Sequence, residues 1–336
     1  MTKMERPNTK SHLLKLPIEI IVNISSYLPQ VDQAVFAMIC RALRLALGKP
    51  DVRKLSTGQY LRFLIRVARD LPDQWVCEAC FKLHPISLDD TPITPWKMSC
   101  PLPWDQWCNE VYGRQSRLDN RFLLVDHRHI QLALKYTRLR DSRYQSYHEK
   151  LLTEHQDVNF STFSFPSKRD NLLDVSYTVT PKIMKGPDGN FRYLLRSCWQ
   201  YRKASMEVSL ITMGDIKLCP HTSISYDLNR SPINQATHIM LARYSLSSNF
   251  MDTFSAGCPC CATDIAIKLS KELVVVCTWQ DMGTKGSPGD IAWRSHVSDP
   301  RFIVSNFQMG RPDMFKLIGS VRELYHDTQI FNDIFR

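Results

Sequence analysis

The sequence predicts an α+β protein in which N-terminal helices are followed by a mixed α+β C-terminal domain. Apolar residues recur at helical spacing through residues 13–48 and again through 57–70. From about Val158 onward, short runs rich in β-branched and aromatic residues replace that pattern, with turn residues between them. The chain of 336 residues is also longer than one small core requires. We therefore expect more than one folding unit.

Residues 13–48 predict two or three short amphipathic helices. Pro17 suits the start of the first helix, where a missing N–H has no cost, and Glu19 favours the helix dipole in the first turn. Pro29 ends this helix, and Gly48 ends the last helical piece. A unit of about forty residues holds little core of its own, so we expect it to need a further surface to pack against.

These N-terminal residues resemble an F-box. The match has no gap and includes Leu16-Pro17-x-Glu19-Ile20, Leu28, Asp32, Val35 and Cys40-Arg41. The resemblance implies a helical unit that docks on the Skp-type adaptor of a cullin–RING ubiquitin ligase. The competing interpretation is an ordinary helical hairpin packed on the rest of the chain. The residues expected to contact the adaptor are Leu16, Pro17, Glu19, Ile20, Ile24, Leu28, Val35 and Ile39.

The middle of the chain predicts helices separated by an irregular segment. Residues 57–70 form an apolar stripe opposite three arginines, which is typical of an amphipathic helix. Residues 84–107 combine five prolines with three tryptophans, which favours an ordered but irregular segment. Residues 127–155 read as helical, with one break between Leu139 and Tyr147.

Positive charge exceeds negative charge over the whole chain, with 43 Lys and Arg against 33 Asp and Glu. The excess is densest between Glu110 and Lys150, a stretch that contains nine basic and five acidic residues. Such a stretch suits a phosphate-binding or nucleic-acid-binding face, but no pattern of alternating aromatic and basic residues supports that interpretation. The sequence favours an ordinary solvated helix face here.

The C-terminal part predicts strands with helices between and after them. Helices are expected at 234–246 and 312–327, and Pro187-Asp188-Gly189-Asn190 predicts a turn. The expected strands are Val158–Phe165, Leu173–Val179, Tyr193–Tyr201, Val208–Thr212, Ile265–Leu269 and Leu273–Thr278.

One group of cysteines and a histidine in this part has the spacing of metal ligands. Cys219-x-His221 and Cys258-x2-Cys261 together supply four ligands of the softness that Zn²⁺ prefers. The gap of 36 residues between His221 and Cys258 is longer than in a compact zinc finger. The sequence therefore predicts a structural zinc site at these four residues and leaves open that the cysteines are small buried hydrophobes.

A second group is a weaker candidate for zinc. Cys77-x2-Cys80 is followed by His84, and Cys100 and Cys108 lie further on. A single Cys-x2-Cys pair is a weak signal, and a mixed site that joins this pair to the pair near residue 260 remains open. A redox pair is disfavoured, because no βαβ pattern surrounds these cysteines.

The order of the cysteine and histidine pieces extends the resemblance over nearly the whole chain. It is similar to that of a large group of fungal F-box proteins, in the pieces WVCEACFKLHPIS, HRHIQLALKY, LCPHTSI, GCPCCATDIAI and VVVCTWQDMG. Only the F-box implies an interpretable activity. We expect three regions: an F-box at 11–50, a connecting segment at 51–125, and an α+β substrate-recognition domain at 126–336.

The motifs of common enzymes are absent from the sequence. It contains no Gly-x-Ser-x-Gly elbow, no Gly-x4-Gly-Lys-Ser/Thr phosphate loop and no zincin pattern. The resemblance to F-box proteins implies instead a non-catalytic adaptor that brings an unknown protein target to the ligase. One alternative is a zinc-stabilised nucleic-acid or chromatin-associated module without a ligase role, and another is a cysteine-dependent hydrolase.

Composition also bounds the cellular setting. No apolar run approaches the roughly 18 residues of a membrane-spanning helix, and the polar first residues do not resemble a secretory signal. We expect a protein of the cytoplasm, the nucleus or both. The eleven cysteines are then expected to be thiols, metal ligands or core residues rather than disulfides.

Overall fold

The computed structural model describes residues 11–102, 117–120, 123–157, 173–203, 208–225, 232–246, 252–270, 273–284, 286, 290–297 and 317–326. Contacts divide the chain into two compact units, Met1–Pro85 and Ile86–Arg336. The expected strand Val158–Phe165 lies outside the described residues, as do residues 312–316 of the expected C-terminal helix.

The described part of the first unit contains four α-helices and one β-hairpin. The helices confirm the helical pattern expected for residues 13–48 and 57–70. The elements are α1 (Ile18–Ser26), α2 (Gln30–Met38), α3 (Arg41–Leu47), α4 (Thr57–Ala68), β1 (Gln74–Cys77) and β2 (Lys82–Pro85).

The core of this unit lies between α2, α4 and the hairpin. Helix α4 starts at a capping box, in which the Ser56 hydroxyl accepts the Gln59 N–H and the Gln59 side chain accepts the Ser56 N–H. The buried residues of this core are Val31, Ala34, Leu61, Phe63, Leu64, Ala68 and Val76. Helix α1 buries only Ile21 and Ser25, so most of its surface is left out of the packing.

The second unit surrounds a large antiparallel sheet. Its described helices are α5 (His127–Leu139), α6 (Gln145–Leu151), α7 (Leu210–Met213), α8 (Pro232–Leu246), α9 (Ile291–Val297) and α10 (Ser320–His326). Its described strands are β3 (Arg117–Asn120), β4 (Leu123–Asp126), β5 (His155–Asp157), β6 (Leu173–Lys185), β7 (Phe191–Lys203), β8 (Ile216–Cys219), β9 (Thr222–Ile224), β10 (Asp252–Gly257), β11 (Thr263–Ser270) and β12 (Leu273–Asp281).

Six of these strands pair in the order β10-β11-β12-β7-β6-β5, and the pairs β3-β4 and β8-β9 stand apart. The turn expected at 187–190 joins β6 to β7, with Gly189 in the left-handed region at φ +77°. Cys198 and Cys277 lie directly opposite each other on β7 and β12 and form a disulfide. The expectation that the cysteines form no disulfide is therefore wrong for this pair.

The expected strand Val208–Thr212 is also wrong. Residues 210–213 form the short helix α7, because the Ser209 hydroxyl caps the Thr212 N–H and Gly214 at φ +70° ends the turn. Apolar residues in a run this short do not distinguish a strand from a helix, and the caps decide the outcome.

A buried ionic cluster fixes the start of α5. Arg128 has no exposed surface and donates from Nε and Nη2 to the two carboxylate oxygens of Asp90, at 2.7 and 2.8 Å. It also donates to Asp126 and to the Pro95 carbonyl. His129 accepts the Asp126 N–H through Nδ1, so its Nε2 carries the proton and donates to Asp90.

The expected solvated basic face is wrong at two positions of α5. Arg128 and Lys135 are buried, whereas Arg140, Arg143 and Lys150 further along are exposed. Charge counts along a sequence cannot reveal that a carboxylate 38 positions earlier neutralises Arg128.

Asp264 anchors the C-terminal helix to the sheet. Its buried carboxylate accepts the backbone N–H groups of Gly319, Val321 and Arg322 at 2.7 to 3.0 Å. These are orphan donors at the start of α10, so a side chain of β11 satisfies the N-terminus of this helix.

We predict that Asp90→Asn lowers the free energy of unfolding by about 3–5 kcal/mol, because it removes one partner from a buried charge. Urea denaturation of the full chain measures this loss. The matched control is Asp141→Asn, which breaks the solvent-exposed pair with Arg143 and should have a much smaller effect. Equal losses in both variants would contradict the role assigned to the buried cluster.

We also predict that stability falls as the pH drops from 6.5 towards 4. Burial lowers the pKa of His129, and burial together with nearby cations lowers the pKa of His326 to about 4. Both histidines stay neutral in the folded protein while the unfolded chain takes up protons, so their contribution is complete above pH 6.5 and is lost below it. Urea midpoints at several pH values measure this slope. His326→Gln should flatten it, and the exposed His238→Gln should not.

Candidate functional site

Helix α1 presents an apolar surface to solvent. Ile18, Ile20, Val22 and Ile24 are between 37% and 52% exposed. Ile18 and Val22 lie one turn apart on one side of the helix, and Ile20 and Ile24 lie one turn apart on another side. A soluble monomer rarely leaves so much apolar helix surface uncovered. We call these four residues the α1 patch.

The structure divides the predicted adaptor-contact residues into two groups. Leu28 and Val35 are partly buried, and Val35 packs against the core between α2 and α4. The exposed members are Leu16, Pro17, Glu19, Ile20, Ile24 and Ile39. The sequence prediction did not include Ile18 and Val22, because it assumed that α1 has a single apolar face. In the structure α1 is apolar around most of its circumference.

The second candidate site joins two turns of the second unit. Cys219 ends β8 and His221 lies in the tight turn before β9. Cys258 and Cys261 bracket the turn between β10 and β11. Their ligand atoms all lie within 4.8 Å of one another, so the four residues predicted as zinc ligands come together. We call them the β8–β10 ligand group.

Burial and mutual hydrogen bonds shift the pKa values of the three thiols of this group in different directions. Burial raises the pKa of Cys219 to about 12 and that of Cys261 well above its usual range. Hydrogen bonds from these two thiols lower the pKa of Cys258. A bound divalent cation would stabilise the thiolate form of all three cysteines and compensate their charge.

Neighbouring donors also suit bound thiolates. The Cys260 N–H donates to Cys258 Sγ at 3.4 Å, and the Thr263 hydroxyl lies 3.1 Å from Cys261 Sγ. His221 places Nδ1 4.0 Å from Cys219 Sγ, while its Nε2 is buried without a hydrogen-bond partner among the described residues. Sulfur ligands, backbone support and an imidazole with an unsatisfied nitrogen together fit a structural Zn²⁺ site.

The β1–β2 hairpin carries a similar arrangement in the first unit. The ligand atoms of Cys77, Cys80 and His84 lie within 4.8 Å of one another, and the Cys80 N–H donates to Cys77 Sγ at 3.3 Å. Phe81 adopts φ +50°, which is strained for a residue other than glycine. His84 Nε2 is buried without a hydrogen-bond partner in the described part of the chain.

The grouping of the cysteines bears on the mixed site that the sequence left open. Cys258 and Cys261 lie with Cys219 and His221 in one ligand group, so the mixed pairing with the β1–β2 hairpin is not the arrangement observed. Cys100 is buried in the second unit, and Cys108 lies outside the described residues.

The described helices were also compared with the length and hydropathy of a membrane-spanning segment. None of them is both long enough and apolar enough for that role.

Comparison with known proteins bears on the N-terminal helices. A search of curated proteins and a search of solved structures each returned no match to this chain. Residues 13–55 match the family model of the F-box domain. This range contains α1, α2, α3 and the α1 patch. The chain therefore carries an F-box domain in its first compact unit, followed by a region of sheets and helices with a Cys/His group.

Proposed function

We propose that this protein is the substrate-recognition subunit of an SCF-type cullin–RING ubiquitin ligase. The F-box match carries this proposal, because F-box domains bind Skp-type adaptors. The protein brings a target close to the assembled ligase, which performs the ubiquitin transfer. We place it in the cytoplasm or the nucleus, where F-box proteins usually act.

The exposure of the α1 patch supports adaptor binding. Ile20 and Ile24 lie one turn apart on α1, and both side chains face solvent. Burying such residues against the apolar surface of a partner helix contributes about 1.5–3 kcal/mol each. We propose that Leu16, Pro17, Glu19, Ile20, Ile24 and Ile39 contact the adaptor directly. Leu28 and Val35 support the contact from the partly buried side.

The second unit is the proposed target-binding region. Its six-stranded sheet is covered by α5 on β6 and β7 and by α10 on β6, β11 and β12. These layers form a stable scaffold on which loops and helix ends can present recognition residues.

We predict that the double variant Ile20→Ala/Ile24→Ala weakens binding to a Skp-type adaptor by at least tenfold, because it removes two apolar anchors. Calorimetry or surface binding with the purified adaptor measures the loss. The control is Leu71→Ala, which shortens an exposed leucine of the same unit outside the F-box match. Absence of binding by the wild type, or equal binding by both variants, would refute the adaptor role.

We also propose that Cys219, His221, Cys258 and Cys261 bind one structural Zn²⁺ ion. The closeness of all four ligand atoms supports this assignment. The ion would tie the β8–β9 hairpin to the turn between β10 and β11, and it would stabilise the folded state because the unfolded chain has no preformed site.

The β1–β2 hairpin is a second proposed zinc site. Cys77, Cys80 and His84 supply three ligands, and structural zinc sites almost always have four. The fourth ligand would come from outside the hairpin. Strain at Phe81 and the unsatisfied nitrogen of His84 are both accounted for by an ion held at this turn.

We predict that the purified chain contains two equivalents of zinc by elemental analysis. Cys258→Ser/Cys261→Ser should remove one equivalent and lower the unfolding temperature, because serine is a poor zinc ligand. Cys77→Ser/Cys80→Ser should remove the other. Cys40→Ser is the control, since Cys40 belongs to neither ligand group. A zinc content unaffected by the cysteine pairs would contradict both assignments.

A further inference from the structure

Four basic side chains gather on the face of the sheet where α10 ends. Lys182 comes from β6, Arg196 from β7, and Arg322 and His326 from α10. All four are partly exposed, so a solute can reach them. We call them the basic cluster.

Arg196 is the least satisfied member of the cluster. It pairs with Thr180 on one neighbouring strand and with Trp279 on the other. Its Nε is buried and makes no hydrogen bond, and no ion pair joins its side chain to another described residue. A guanidinium offers five donors in a planar fork, and leaving buried donors unpaired is costly. A hydrogen-bond acceptor near Arg196 Nε would therefore stabilise this side chain.

Lys182 lies diagonally across the β6–β7 pair from Arg196, on the same face. Its Nζ donates to the Tyr325 carbonyl at 2.8 Å and lies 5.3 Å from the centre of the Tyr325 ring. The end of a helix supplies only about half a negative charge, so this contact does not neutralise the ammonium group.

Helix α10 adds further donors to the same place. The Arg322 guanidinium lies 5.8 Å from the Trp279 ring centre. The Trp279 indole N–H donates to His326 Nε2 at 3.0 Å, so the neutral His326 ring carries its proton on Nδ1. Burial and the charges of Arg196, Lys182 and Arg322 together lower the pKa of His326 to about 4, which places all three cations near this ring.

Glu154 lies beside the cluster but does not pair with the two cations of the strands, Lys182 and Arg196. The Glu154 carboxylate accepts the Thr180 hydroxyl at 2.7 Å. In the described part of the chain it forms no ion pair with Lys182 or Arg196. Lys182 and Arg196 therefore keep positive charge that no described carboxylate neutralises through an ion pair.

We propose that the basic cluster binds a phosphate group. Donors from two strands and a helix lie near one another on this face, which suits an anion with several acceptor oxygens better than a carboxylate with two. Arginine is also the residue best matched to phosphate oxygens. This inference does not depend on the F-box or on bound zinc. The phosphate is either a free anion or an ester carried by another molecule, and both sources present the same chemistry.

The test is calorimetric titration of the full chain with inorganic phosphate and with N-acetyl-O-phosphoserine amide at constant ionic strength. Acetate is the carboxylate control. We expect at least one phosphate probe to bind, and at ten times its dissociation constant to raise the unfolding temperature by roughly 3 °C. Binding of the ester indicates recognition of an attached phosphate, whereas binding of inorganic phosphate alone indicates a free anion.

Arg196→Gln should weaken phosphate binding at least tenfold. Arg202→Gln is the matched control, since it removes the same charge from an exposed position on the same strand and should bind like the wild type. Three results would each overturn the proposal: no binding of either probe, equal effects of acetate and phosphate, or equal losses in the two arginine variants. Circular dichroism of Arg196→Gln checks that the sheet remains folded.

Discussion

The second unit depends on neutralising one buried cation. Arg128 lies at the first turn of α5 with no access to water, so its charge requires carboxylates at that place. Asp90 meets this requirement from an irregular segment, and its own carbonyl accepts the Tyr147 hydroxyl of α6. The same segment accepts the Leu124 N–H through the Pro92 carbonyl. Contacts around one guanidinium thereby hold together the proline-rich segment, α5, α6 and β4. Helix α5 in turn packs against β6 and β7.

Much of the fold was predictable because local signals agreed with the final structure. The break between α5 and α6, the β6–β7 turn and the strands β11 and β12 follow periodicity and turn residues. The sequence could not reveal features created by distant partners. The burial of Arg128 depends on Asp90, and the Cys198–Cys277 disulfide depends on strands that are far apart in the sequence. Helix α7 was mistaken for a strand because four residues carry too little periodicity.

The candidate sites differ in how far residue spacing alone could predict them. Cys219, His221, Cys258 and Cys261 were identified from spacing, and the strands bring them within one ligand group despite the long gap between the pairs. In the sequence His84 is only a residue that follows Cys77 and Cys80, whereas in the structure its ring nitrogen lies within 4.8 Å of both sulfur atoms. In the F-box, the pattern did not indicate that α1 exposes Ile18 and Val22, since this depends on how few of its residues α2 and α3 cover. The basic cluster has no sequence signature, because it exists only where β6, β7 and α10 meet.

The strand order of the large sheet also constrains how the chain folds during synthesis. In the finished sheet β7 lies between β6 and β12, yet β7 ends at Lys203 and β12 begins at Leu273, 70 positions later. At a translation rate of roughly 5–20 residues per second, synthesis of these 70 residues takes about 4–14 seconds. During that time one edge of β7 has no partner strand. That edge carries Trp199 and Tyr201, and an open apolar edge invites pairing with other nascent chains. The nascent chain is therefore most exposed to wrong strand pairing in the interval between the synthesis of β7 and that of β12.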